Sequence, residues 1–118
     1  MILPNPSIAL EPGNKVVVFV HQLREGLTAR QLAEYKGLDV ATLAEAKSMD
    51  GYLGHEFASS EDGTVFMSYW RDEEAVSEWA KNPLHRRAKA QGKAEWYASY
   101  RTVICTVERH HMTSVNAE

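Results

Sequence analysis

Cysteine is almost missing from this chain: Cys105 is the single one among 118 residues. No disulfide can therefore close within the chain, and such usage suits a reducing compartment. Cys105 lies in an apolar run, where a small buried hydrophobe is its expected role. Also lacking is any apolar stretch near the roughly 20 residues that cross a bilayer. The opening residues 1–12 have neither the charged nor the apolar region of a signal peptide. The expectation is a cytoplasmic protein with no membrane partner. An excess of positive charge is absent as well, since 13 Lys and Arg face 16 Asp and Glu for a net charge of -3. Without a basic field to hold a phosphate backbone, nucleic acid is not expected as a partner. No glycine-rich phosphate loop, Cys-x-x-Cys pair, Gly-x-Ser-x-Gly elbow or His-Glu-x-x-His helix occurs, which removes nucleotide hydrolysis, zinc chemistry and serine hydrolysis.

What is present reads as one domain. Pro4, Pro6 and Pro12 disfavour regular structure, so residues 1–14 are expected to form an extended arm that packs on a neighbour. Lys15 to Leu23 is β-branched and bounded by turn residues, too short for a helix and long enough for a strand. Thr28 with Gln31 fits a capping box, and good helix formers follow to about Met49, with Gly37 as a candidate kink. Tyr52 to Ser59 and Thr64 to Trp70 then read as a hairpin joined by Glu61-Asp62-Gly63.

From Asp72 to Ala80 the pattern places Ala75, Val76 and Trp79 on one helical face with acids in the first turn. Asn82-Pro83 looks like the N-cap and first-position proline of another helix, which Gly92 weakens and Trp96-Tyr97 closes. Ser99 to Arg109 is again strand-like, and residues 110–118 read as a polar tail. The order β-α-β-β-α-β over 15–109 is the ferredoxin-like α+β arrangement with an antiparallel sheet. Strands one and four are apolar on both faces, although helices on one side need only one apolar face. The second face is expected to meet another subunit.

The stretch from Gly51-Tyr-Leu-Gly-His-Glu, the run Ser68-Tyr-Trp-Arg-Asp-Glu-Glu-Ala-Val-Ser-Glu-Trp79, His85 and Trp96-Tyr-Ala-Ser-Tyr-Arg101 together resemble the antibiotic biosynthesis monooxygenase family. The match is dense over 50–109 and loose over 15–49. The resemblance implies a homodimer whose sheets face each other as a dimeric α/β barrel. It also implies a pocket in each subunit between sheet and helices. The activities it brings into view are cofactor-independent monooxygenation of a small planar aromatic molecule, heme binding with oxidative degradation, and non-catalytic binding of a small molecule. Fold alone does not choose among them.

Candidate residues follow. By resemblance, Trp79 occupies the position of a pocket-lining tryptophan whose indole can stack on a flat substrate. His21 and His85 are the candidate bases, because an imidazole titrates near neutral pH. Tyr69, Trp96, Tyr97 and His55 are candidate substrate contacts, each with a bland use in a core or interface. His110 and His111 lack a third ligand and read as solvated tail, so no metal is expected. No cofactor is expected either. In the heme-degrading branch the resemblance puts an iron-ligating histidine nine or ten residues after the tryptophan, where Ala88 and Lys89 stand here. It puts an asparagine on the first strand, where His21 and Gln22 are the nearest matches.

Overall fold

The computed structural model describes residues 2–115. Four strands form one antiparallel sheet in the order β2-β3-β1-β4: β1 is Lys15–Leu23, β2 Tyr52–Ser60, β3 Gly63–Trp70 and β4 Tyr97–Thr106. Helices α1 (Ala29–Ser48), α2 (Glu73–Lys81) and α3 (Pro83–Gln91) cross over one face, and a five-residue π-helical turn, Gly92–Trp96, leads into β4. This is the expected ferredoxin-like α+β fold.

Local chemistry sets the helix ends. At α1 the Thr28 hydroxyl accepts from the Gln31 amide at 3.1 Å, and the Gln31 side chain takes the Thr28 amide in return at 2.9 Å. Two otherwise orphaned donors are thus satisfied. Asp72 caps α2 by accepting from Ala75 N at 2.9 Å. Asn82 caps α3, its Oδ1 accepting from the amides of Leu84 and His85 at 3.0 and 3.1 Å. Gly37 does not break α1, which runs unbroken over 20 residues. A helical glycine costs only about 1 kcal/mol, and the stripe Leu32, Tyr35, Leu38, Thr42 and Ala46 holds the helix against the rest of the domain.

The last strand departs from the expected Ser99–Arg109. It starts at Tyr97, which pairs with Leu23 beyond a register irregularity, and ends at Thr106. Val107 then turns its backbone to the arm, donating to Asn14 O at 2.8 Å and accepting from Gly13 N at 2.9 Å. The arm itself is folded down on its own subunit. Asn5 N donates to Glu56 Oε2 at 2.6 Å, and Asn14 Nδ2 donates to Arg71 O at 3.0 Å. Ile8 is buried over Gly54, where a Cβ would lie 2.7 Å from Ile8 Cγ1 and where φ is +152°. Glycine there lets the arm lie flat on the strand. Part of the tail, residues 116–118, lies outside the described residues.

Alternation along the strands separates two faces. Toward the helices point Val17, Phe19 and His21 of β1, with Phe66, Ser68 and Trp70 of β3 on the same face. Trp70 is fully buried and gathers Ala46, Ala75, Val76 and Trp79 into the core, its Nε1 donating to Ser68 Oγ at 2.9 Å. Away from the helices point Val16, Val18, Val20, Val65, Met67, Tyr69, Val103 and Cys105. The arm covers the Gly54–Glu56–Tyr69 corner of that outer face. Beyond it Val20, Val65 and Val103 keep 38%, 42% and 40% of their surface exposed. Cys105, expected to be buried, is exposed on this face in the single chain. Among the described residues no helix is long and apolar enough to cross a membrane.

Candidate functional site

His21 is the residue around which a site assembles. It stands near the end of β1 on the helix side, only 7% exposed, where α1 carries Tyr35 over it and β4 begins beside it. The Tyr35 hydroxyl lies 3.2 Å from His21 Nε2. Tyr97 packs on the same imidazole at a centroid distance of 4.8 Å, Phe19 at 4.9 Å, and Trp96 meets Tyr35 edge-on at 5.3 Å. Tyr100 closes the group against Tyr97 at 5.7 Å and stays 45% exposed.

The π turn explains how two adjacent aromatic residues reach this group. Such turns recur at functional sites because the extra residue re-aims the side chains that follow. Here Tyr97 lies so close over Gly92 that a Cβ at that glycine would come within 2.8 Å of Tyr97 Cδ2. Arg24 braces the turn, donating to Tyr97 O at 3.1 Å and Lys93 O at 3.0 Å.

Buried polar atoms without partners mark the same region. Among the described residues, His21 Nδ1 and Trp96 Nε1 have no hydrogen-bond partner, and neither does Thr42 Oγ1, two helical turns beyond Tyr35. Buried polar groups are almost always paired, so each of these is a place for a ligand atom or ordered water. Burial lowers the His21 pKa and keeps the ring neutral at neutral pH. Burial, helped by the charge of Asp39 one turn along α1, pushes the Tyr35 phenol up to about 12. Burial also raises Tyr97, with Tyr35, Asp39 and Tyr100 adding to the effect.

A cleft of about 480 Å³ opens at this end of the sheet, with His21, Gln22, Thr64, Ser99, Tyr100 and Arg101 in its wall. It forms because β1 outruns the β2–β3 hairpin. His21 is the last β1 residue paired to β3, whereas β4 continues alongside Gln22 and Leu23. A wider cleft of about 560 Å³ lies between the arm and the tail, bordered by Leu10, Pro12, Arg109, His110 and His111. Its histidines are exposed, and His111 Nε2 pairs with Thr113 Oγ1 at 2.7 Å, so packing of the tail against the arm accounts for it.

The other candidates fall into separate groups. His55 lies on the inner face of β2, where the Tyr52 hydroxyl is 2.6 Å from its Nδ1 and Phe66 stacks on it at 5.4 Å. Burial lowers its pKa, as does Lys47, against a smaller upward pull from Glu56. Phe66 pairs in register with Phe19, so this group borders the His21 group across the sheet. Trp79 belongs to the core. It stacks between Trp70 at 5.6 Å and His85 at 4.3 Å. His85 Nδ1 donates to the Trp79 carbonyl at 3.0 Å.

Tyr69 is on the opposite face from all of these. Its hydroxyl donates to Glu56 Oε1 at 2.6 Å beneath the arm, so the structure separates it from the pocket expected for it. Sequence reading missed Tyr35. The signal was present as the three-to-four residue spacing of Leu32, Tyr35, Leu38 and Thr42, which places the tyrosine on the buried stripe of α1.

The residues do not fit the heme-degrading pattern. Ala88 and Lys89 stand where that pattern needs its ligand. His85 stands six residues after Trp79 instead of nine or ten and lies flat on its ring, and His21 belongs to the separate group at the end of β1.

An antiparallel ferredoxin-like sheet, helices on one face and an aromatic, histidine-centred site define a small α+β domain whose outer sheet face is left partly bare. The chain belongs to the antibiotic biosynthesis monooxygenase family, whose pattern matches residues 15–91. It is 32% identical over 72 residues to "Uncharacterized protein YqjZ" of Bacillus subtilis (strain 168), a match covering 60% of this chain and 63% of that relative, less than two thirds of its length. Among solved structures it is similar to SnoaB, a cofactor-independent oxygenase from Streptomyces nogalater. That match has a TM-score of 0.65 and 16% identity over 83% of this chain and 96% of the other. A dimeric protein of unknown function and ferredoxin-like fold from Bacteroides fragilis NCTC 9343 matches with a TM-score of 0.64 and 17% identity, covering 80% and 97% of the two chains. At such identities the likeness to these structures is one of fold.

Proposed function

We propose that this protein is a cofactor-independent monooxygenase that takes a small planar aromatic molecule with an acidic hydroxyl at the His21 cleft. The observation that carries the reading is His21 Nδ1, a buried ring nitrogen with no partner, in an imidazole kept neutral by its surroundings. A base must offer an unshared lone pair, and of the two candidate bases His21 is the one that borders the strand-end cleft.

The chemistry asks little else of the protein. His21 takes the hydroxyl proton, and the resulting anion passes an electron to dioxygen. The two radicals combine at an activated ring carbon that carries hydrogen to give a peroxide anion, which takes the proton back from His21, and the hydroperoxide then loses water and leaves a carbonyl. One oxygen atom enters the product, the other leaves as water, and all four electrons come from the substrate. Tyr100 supplies an aromatic face in the cleft wall for a flat ring, with Tyr97 packed against it at 5.7 Å.

The homodimer belongs to the same proposal. A row of half-exposed valines on the outer face is what a second copy of the sheet would cover, giving the dimeric barrel, and the fold neighbour from Bacteroides fragilis is itself dimeric. Oxygen uptake with a panel of polyphenols and anthrones, compared between the wild type and His21→Ala, tests the function.

A further inference from the structure

We infer that Tyr35 is a positioning residue that sets the tautomer of His21: its phenol oxygen accepts the Nε2–H and leaves Nδ1 as the bare, proton-accepting nitrogen. The inference rests on the base role proposed above for His21, but its geometry stands apart from any substrate.

Nε2 and the Tyr35 hydroxyl are 3.2 Å apart, and either group can be the donor. The two arrangements differ in what they leave orphaned. If the phenol donated, the ring proton would sit on Nδ1, which is buried and for which the described residues offer no acceptor. A buried N–H without an acceptor is among the rarest features of native structures. If the phenol accepts, the orphan is a lone pair, the proton-accepting form of that nitrogen.

The second arrangement needs the phenol to keep its proton and turn it aside. Burial and the negative charge of Asp39, one turn along α1, hold the phenol protonated. A phenolic hydrogen turns about its C–O bond, which leaves the oxygen lone pairs to His21. The remaining neighbours do not compete. Phe19 has no polar atom, and Tyr97 and Tyr100 meet His21 or each other through their rings. When Nδ1 takes a proton, both ring N–H groups are then matched, one by the substrate anion and one by Tyr35, so the imidazolium forms without the ring turning. Tyr35 touches neither oxygen nor substrate in this scheme and acts through His21.

The test is a long-range proton–nitrogen NMR spectrum of protein labelled with 15N-histidine, with His21 assigned from the signals lost in His21→Gln. In the wild type the expected result is a pyridine-type Nδ1 and a pyrrole-type Nε2. In Tyr35→Phe, which keeps the ring and its packing, the two nitrogens are expected to move toward the averaged shifts of exchanging tautomers. A pyridine-type Nε2 in the wild type overturns the inference, as does an unchanged pattern in Tyr35→Phe. With any polyphenol the wild type oxidises, Tyr35→Phe should lower kcat by about 10-fold or more with KM within about 2-fold. A kcat within about 2-fold of wild type also overturns it. The expected tautomer in a protein that consumes no oxygen would sink the oxygenase reading and leave the tautomer assignment supported.

Discussion

His85 lies flat against Trp79, ring centroids 4.3 Å apart and planes within 11°, with Trp70 stacked on the other side of that tryptophan. The stack joins the start of α3 to the end of β3 through α2 and takes up two of the three residues that the sequence offers as catalytic, His21 being the third. Truncating its centre removes a large buried ring, and such losses cost about 3–5 kcal/mol. Trp79→Ala should lower unfolding free energy by that order in urea titrations, and a loss under about 1 kcal/mol would deny the stack its role.

His85→Ala separates structure from chemistry. With Nδ1 held by the Trp79 carbonyl and the ring face covered, His85 is expected to contribute packing. The variant should melt earlier but, at a temperature where it is folded, oxidise substrate with kcat within about 3-fold of wild type. A loss of about 100-fold, typical of removing a general base, would return His85 to the mechanism.

Three histidines give the pH dependence of stability a definite sign. Burial lowers the pKa values of His21, His55 and His85 in the folded chain, the Trp79 carbonyl partly opposing the shift at His85. The unfolded chain therefore binds more protons once pH drops below the ordinary histidine value of about 6.5. Stability should hold above that value and decline as pH falls toward the depressed folded values. Thermal melts at about pH 7.5, 6.5 and 5.5 check it, and a melting temperature that rose on acidification would contradict the burial of these rings.

The outer face predicts a charge-sensitive assembly. Val65→Lys or Val103→Lys would place an ammonium among Val20, Val18 and Met67 on the surface assigned to the second subunit. Both variants should sediment as monomers where the wild type is a dimer. A dimer undisturbed by the pair would put the interface elsewhere.

Much of the fold was legible in the sequence because local signals agreed with the tertiary result. The Thr28–Gln31 box, the Asp72 cap, the Asn82-Pro83 start and the hairpin glycine each name a boundary on their own. Gly37 misled because glycine propensity is weak beside the packing of a long buried stripe. The early start of β4 was hidden because nothing local distinguishes a π turn from a fraying helix end. At the site, His21 and Tyr97 could be proposed from their types and places, but Tyr35 is 14 residues from His21 and meets it only when α1 folds over β1. Tyr69 was misplaced for a related reason. A single step along β3 turns a side chain to the other face, and only the register with β1 shows which face carries Trp70.

The central claim is that His21 drives oxygenation by taking a proton at the strand-end cleft. The most direct measurement is oxygen consumption and absorbance together, recorded as wild type and His21→Ala meet polyphenols, anthrones and, separately, hemin. The account predicts oxygen uptake with at least one hydroxylated aromatic, a loss of about 100-fold or more in His21→Ala, and no saturable Soret change. Equal uptake by the two proteins would contradict it, and so would a Soret band or ligand binding with no oxygen consumed.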